Sequence, residues 1–152
     1  MSDHCILCQT VGGKLIYQND FIRIINAQEP HYPAFTRVIL QQHQVEMTDL
    51  PHQDRQRLMD YVYLVEQVQR DILQPYKINL AQFGTMVPHI HWHIIPRYQE
   101  DLHYPASIWS QSDKDMNASD YLTFLEKQHT FLETYHQTLQ ERLHQFDSKT
   151  TK

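Results

Sequence analysis

The sequence predicts an α+β domain: three short strands, one long helix, two further strands and a C-terminal helical extension. Three observations carry this expectation. Residues 87–97, Val-Pro-His-Ile-His-Trp-His-Ile-Ile-Pro-Arg, alternate histidine with large apolar side chains at a period of two, the pattern of a strand with one buried face. Leu58, Tyr61, Val62, Val65, Val68 and Ile72 recur at spacings of three and four, the pattern of a helix with one buried side. At 152 residues, with 41% hydrophobic and 11% aromatic residues, the chain is long enough to bury its own core.

The elements follow in order. Lys14–Tyr17 and Phe21–Ile25, separated by Gln18-Asn19-Asp20, read as a hairpin. Residues 29–33 hold two prolines and make a loop, after which Arg37–Gln41 forms a third strand ending at His43. The long helix runs from about Pro51 to Leu73, with Asp49 as its cap, Pro51 in its first turn and Pro75 beyond its end. Tyr76–Phe83 is a fourth strand, and Gly84–Val87 leads into the histidine strand bracketed by Pro88 and Pro96. There Ile90, Trp92 and Ile94 should face the core while His89, His91 and His93 share the other face. Residues 103–118 carry turn-formers and the exposed-looking pair Ile108-Trp109. One helix is then expected from Ser119 to Phe146, capped by Ser119 or Asp120, with Phe124, Phe131, Leu132, Tyr135, Leu139 and Leu143 on one side. This divides the chain into a domain over 1–110 and, over 111–152, a linker and a helix packed on that domain or on a partner subunit.

Composition excludes some functions. A net charge of -5 and the lack of any lysine or arginine run argue against capture of nucleic-acid backbone, so any nucleotide handled is small. No segment approaches the ~18 apolar residues of a membrane span. Met1-Ser2-Asp3-His4 lacks the start of a signal peptide, which places the expectation in the cytoplasm.

Three imidazoles on one strand face are either a site or three unrelated solvated histidines. Alternate strand residues lie about 7 Å apart, so one metal with ~2 Å bonds does not reach all three. A division of labour suits the geometry better, with the middle imidazole free as nucleophile or base. Both cysteines fall in Cys5-Ile6-Leu7-Cys8, a metal clip or a redox pair in a reducing compartment. Cys5, Cys8, His43 and His89 together offer a Cys₂His₂ set suited to a closed tetrahedral Zn²⁺; the alternative is two buried thiols and a surface histidine. Such a zinc would be structural, since four filled positions leave none for an activated water.

The segment His89-Ile90-His91-Trp92-His93-Ile94-Ile95 resembles the His-φ-His-φ-His-φ-φ signature of the histidine triad (HIT) superfamily of nucleotide hydrolases and transferases. The likeness extends through Asn79, Gly84 and the strand Val38–His43, and Cys5-x-x-Cys8 resembles the zinc-bearing branch. It covers roughly residues 3 to 110, and the chain is most similar to bacterial members described as diadenosine-polyphosphate hydrolase-like. The resemblance implies a HIT-like fold with a five-stranded, mainly antiparallel sheet, and a homodimer joined through its sheets. It implies hydrolysis at the α-phosphate of a phosphoester, phosphoanhydride or phosphoramidate, with His91 as the nucleophile forming a nucleotidyl-histidine. His93 would then hydrogen-bond the scissile oxygen or phosphate, and His89 would be a zinc ligand. The transferase branch carries glutamine at the third position, so His93 favours hydrolysis. Asn79, Thr85 and the backbone N–H groups around Gly84 are the expected phosphate-binding donors, with Arg97 a weaker candidate. Two departures stand out: Phe35 occupies the place of a further family histidine, and Asn26-Ala27-Gln28-Glu29 offers no clear ribose-binding acid. A nucleotide-binding or scaffold protein with little turnover is the alternative function.

Overall fold

The structure, a computed structural model, describes residues 4–150. Met1–Asp3, part of the stretch read for a leader, lie outside the described residues. A short helix α1 (Ile6–Gln9) precedes β1 (Lys14–Gln18), β2 (Ile22–Asn26) and β3 (Thr36–Leu40). Helix α2 (His52–Leu73) leads to β4 (Lys77–Ala81) and β5 (His91–Arg97), and α3 (Ser119–Thr130) and α4 (Leu132–Thr150) close the chain. The five strands form one sheet in the order β1-β2-β3-β5-β4, and every neighbouring pair is antiparallel. The α+β class and the five-stranded antiparallel sheet expected from the sequence are therefore observed.

Period-two burial gives the sheet two different faces. Ile22, Ile24, Val38, Leu40 and Ile94 point to one side, where Leu58, Tyr61, Val62, Val65 and Val68 of α2 cover them. Those five α2 side chains are wholly buried, and each contributes about 1.5–3 kcal/mol by leaving water. Gln69, also wholly buried, donates its Nε2–H groups to the Ala34 and Ile94 carbonyls, both at 3.1 Å, tying α2 to the sheet. The opposite face carries Arg23, Arg37, His91, His93 and Arg97, and it is there that the site forms.

Several boundaries differ from expectation for physical reasons. Asp49 does not cap α2. It closes a preceding 3₁₀ turn (Met47–Asp49) by accepting the Glu46 N–H, and Pro51 holds the N-cap position itself. The histidine strand begins at His91 rather than His89, because a tight turn in which the His89 N–H bonds the Val87 carbonyl takes His89 off the ladder. Pro96 lies inside β5, beyond the last β3 pair Thr36–Ile94, where the strand has a neighbour on one side only and proline is tolerated.

The expected helix from Ser119 to Phe146 is two helices. At Phe131 the backbone tightens, and its N–H turns back to the Gln128 and His129 carbonyls. The break leaves Phe131 exposed, while Tyr135, Leu139 and Leu143 of α4 enter the main core. Neither Ser119 nor Asp120 is the N-cap of α3; Ala118 is, without a side-chain bond. The end of α4 is fastened by Asp147, which accepts from Tyr61 at 2.6 Å and Asn19 at 2.9 Å.

Candidate functional site

Antiparallel register assembles the site. Pairing of Ile39 with His91 and of Arg37 with His93 sets a guanidinium beside the third histidine on the face away from α2. Arg37 Nε donates to His93 Nδ1 at 3.3 Å. Because Nδ1 accepts, the ring proton of His93 sits on Nε2. His91 is protonated in the opposite sense: its Nδ1 lies 2.6 Å from the His89 carbonyl, which can only accept, so Nδ1 carries the hydrogen and the Nε2 lone pair is free. The two rings meet edge to face, with centroids 4.9 Å apart.

Burial keeps both rings neutral. His91 is pushed below the ordinary imidazole range by burial and by the Arg37 charge, against a raising influence from the His89 carbonyl. His93 is lowered further, to about 3, by burial first and then by His91 and Arg37.

These residues line a cleft of about 580 Å³ between the α1 segment and the Phe83–Val87 loop. Ile6, Leu7 and Gly12 line it from the N-terminal segment, and Phe83, Gly84, Thr85, Met86 and Trp109 line it as well. Gly84 takes φ +88, a conformation that side-chain-bearing residues rarely adopt, so the loop turns here because the residue is glycine. Gly84 and Thr85 thus share the cleft with His91 and His93. Asn79 does not line it: its Oδ1 accepts from Arg97 at 2.8 Å, and the residue faces a neighbouring hollow that shares Phe83 and Trp109 with the cleft. Phe35 packs against His93 at 5.5 Å and lies under the Arg37 guanidinium. Arg97 is engaged in a buried ion pair, Nε to Asp101 at 2.7 Å.

Cys5, Cys8, His43 and His89 converge with their four ligand atoms all within 4.8 Å of one another. The two Nδ1 atoms are 3.3 Å apart, Cys8 Sγ lies 3.3 Å from His43 Nδ1 and 3.5 Å from His89 Nδ1, and Cys5 Sγ lies 3.4 Å from His89 Nδ1. A tetrahedral Zn²⁺ with ~2.0–2.1 Å nitrogen and ~2.3 Å sulfur bonds demands roughly 3.3 Å between nitrogens and roughly 3.6 Å between nitrogen and sulfur. The donor set fits that ion. His89 Nε2 meets the Leu40 carbonyl at 2.7 Å, the outer hydrogen bond that orients a ligating imidazole. Arg23, buried on β2, bonds the Leu7, Thr10 and Val11 carbonyls and so holds the cysteine segment against the sheet.

The sequence reading missed Arg23, Arg37, Phe83 and Trp109 as parts of this region. Arg37 and Arg23 had one available signal, a lone charge inside an otherwise apolar strand.

The HIT domain family model matches residues 10–100. The chain is 28% identical over 124 residues to the asymmetrical bis(5′-nucleosyl)-tetraphosphatase of Schizosaccharomyces pombe, covering 77% of this chain and 68% of that protein. It is 26% identical over 105 residues to an uncharacterised HIT-like protein of Methanocaldococcus jannaschii, covering 64% and 81%. Among solved structures, a zinc-bound histidine triad family protein from Mycobacterium smegmatis shares the fold with a TM-score of 0.60 at 23% identity, over 98% of this chain and 99% of that one. A histidine triad protein from Marinobacter aquaeolei VT8 gives 0.63 at 19% identity, over 85% and 92%.

Proposed function

This chain belongs to the HIT family, and on that premise we propose that it is a nucleotide hydrolase acting at the α-phosphorus through a covalent intermediate on His91. The observation that carries the proposal is the 2.6 Å hydrogen bond from His91 Nδ1 to the His89 carbonyl. It leaves Nε2 as a neutral, aimed nucleophile, and the same carbonyl stabilises the positive charge that the ring acquires once its lone pair bonds to phosphorus.

A neutral imidazole meets a phosphate anion without like-charge repulsion, so two displacements replace one difficult attack by water. In the first, the His91 Nε2–P bond forms and the bond to the leaving group breaks, the electron pair departing with that group. His93 is neutral and donates Nε2–H, so it hydrogen-bonds the departing atom; Arg37, which also lines the cleft, faces the nonbridging oxygens with a full charge. Thr85 and the Gly84 loop border the same space. In the second displacement water adds hydroxyl to phosphorus, releases a proton and frees His91. The tetraphosphatase relative supports a dinucleoside polyphosphate as one substrate.

Cys5, Cys8, His43 and His89 would hold Zn²⁺ as a closed structural site, a reading supported by their geometry and by the zinc-bound relative. When bound, the ion neutralises the two thiolates and cross-links the N-terminal segment to His89. The His89 carbonyl links that anchorage to His91.

Turnover of diadenosine tetraphosphate and of adenosine 5′-phosphoramidate by wild type and His91→Ala tests the proposal. Loss of activity on the order of 10³-fold or more is expected for the variant. A variant as active as wild type would refute it.

A further inference from the structure

Three aromatic rings surround His93, and two of them are half open to solvent. Phe35 closes the inner side at 5.5 Å from the imidazole, Trp109 stands at 5.3 Å and Phe83 at 5.9 Å. Trp109 and Phe83 meet edge to face at 4.9 Å. Their exposures of 51% and 59% are high for rings of this size packed beside a buried histidine. Nothing in the covalent step requires them.

Their placement is lopsided in a way that chemistry can use. The cleft is lined by Ile6 and Leu7 as well as by Phe83 and Trp109, and it is the two aromatic rings that pack beside His93. Resting on the proposed function, in which His93 faces the departing atom, the two rings packed on His93 mark the leaving-group side. We propose that Trp109 and Phe83 form a stacking platform that selects leaving groups carrying a flat aromatic ring, with Trp109 as the specificity-determining residue. Both rings also line an adjoining hollow with Asn79 and Lys77.

Trp109 is held in place independently of any ligand. Its backbone N–H bonds the Ser107 hydroxyl at 3.1 Å, the Ala106 carbonyl is fixed by buried Arg97 at 2.7 Å, and the ring itself packs on Phe35 and His93. A ring pre-set in this way loses little freedom on stacking.

The test compares two adenosine 5′-phosphoramidates whose leaving amines have similar basicity, propylamine and naphthylethylamine, on wild type, Trp109→Ala and Trp109→Phe. Wild type should favour the naphthyl substrate in kcat/KM, Trp109→Ala should lower that preference about tenfold, and Trp109→Phe should retain most of it. The preference ratio cancels any effect of Trp109 on His93 common to both substrates. An unchanged ratio in Trp109→Ala overturns the proposal and leaves Trp109 as a cover over His93. Diadenosine tetraphosphate against adenosine 5′-tetraphosphate makes the same comparison for a nucleobase carried on a phosphate chain, and tells which kind of ring the platform takes. Equilibrium binding of the same pairs to His91→Ala keeps the question separate from covalent chemistry. A naphthyl or second-adenosine advantage in binding that Trp109→Ala removes supports the platform even if His91 is not the nucleophile, and equal binding of both members of each pair overturns it.

Discussion

Asp101→Ala should be among the most damaging single substitutions away from the histidines. Asp101 is 1% exposed and accepts from Arg97 Nε at 2.7 Å, Arg97 Nη2 at 3.0 Å, the Tyr98 N–H at 3.0 Å, the His103 N–H at 3.1 Å and the Tyr32 hydroxyl at 3.3 Å. Burial opposes its ionisation, but the Arg97 and backbone hydrogen bonds prevail and hold the carboxyl below the usual range. Some of these donors have second partners: Nη2 also reaches the Ala106 carbonyl, and Tyr32 and the His103 N–H bond within their own pair. Among the described residues, Arg97 Nε and the Tyr98 N–H have no other hydrogen-bond partner. Removing the carboxylate therefore strands a buried guanidinium and a backbone donor, a loss of about 3–5 kcal/mol. Against a domain stability of about 5–15 kcal/mol this is roughly a fifth of the total or more. Urea unfolding at pH 7 measures it, and the double variant Arg97→Met/Asp101→Leu, which removes both charges, should recover much of the loss. A cost below about 1 kcal/mol for Asp101→Ala would refute the view that this pair organises the loop bearing Trp109.

The metal reading predicts one zinc per chain in the purified protein. Cys8→Ser should lose it with a cost on the order of 5 kcal/mol, part of the ~10–16 kcal/mol that zinc-finger peptides gain, checked by metal analysis and thermal unfolding. Arg37→Met should lower kcat on the order of 10²-fold by removing the charge beside His93, with fold intact by circular dichroism; an unchanged kcat would remove Arg37 from the phosphate site. His136, on α4 and bonded to Asn26, is pushed down to about 4 by burial and then by Lys14. Its folded value lies below its unfolded value of about 6.5, so the unfolded chain binds the extra proton, and stability falls as pH drops from 6.5 toward 4. His136→Gln should flatten that segment of a stability-against-pH curve, and an identical slope in the variant would show that His136 does not drive it.

Much of the fold was legible because period-two and period-three-and-four patterns are local. The strand and α2 boundaries lie within a few residues of expectation, and the alternation at 89–94 correctly separated Ile90 and Ile94 from His91 and His93. The Cys5, Cys8, His43 and His89 set was also legible, because zinc-ligand chemistry narrows the choice of residue types. What escaped was set by register and by loops. Nothing local to Arg37 shows that it pairs with His93, and nothing in residues 103–110 shows that the Arg97–Asp101 clasp returns Trp109 to the third histidine. The break at Phe131 involves no glycine or proline, so periodicity alone could not place it. Asp49 was a plausible cap by type, yet the turn before it claimed the carboxylate.

Intact-protein mass spectrometry after a rapid, acid-free quench tests the covalent role of His91 most directly. Wild type mixed with diadenosine tetraphosphate or adenosine 5′-phosphoramidate should gain one adenylyl group, mapped to His91, and His91→Ala should gain none. An adduct that persists in His91→Ala, or turnover by wild type with no adduct formed at any time, would contradict a nucleotidyl-His91 intermediate.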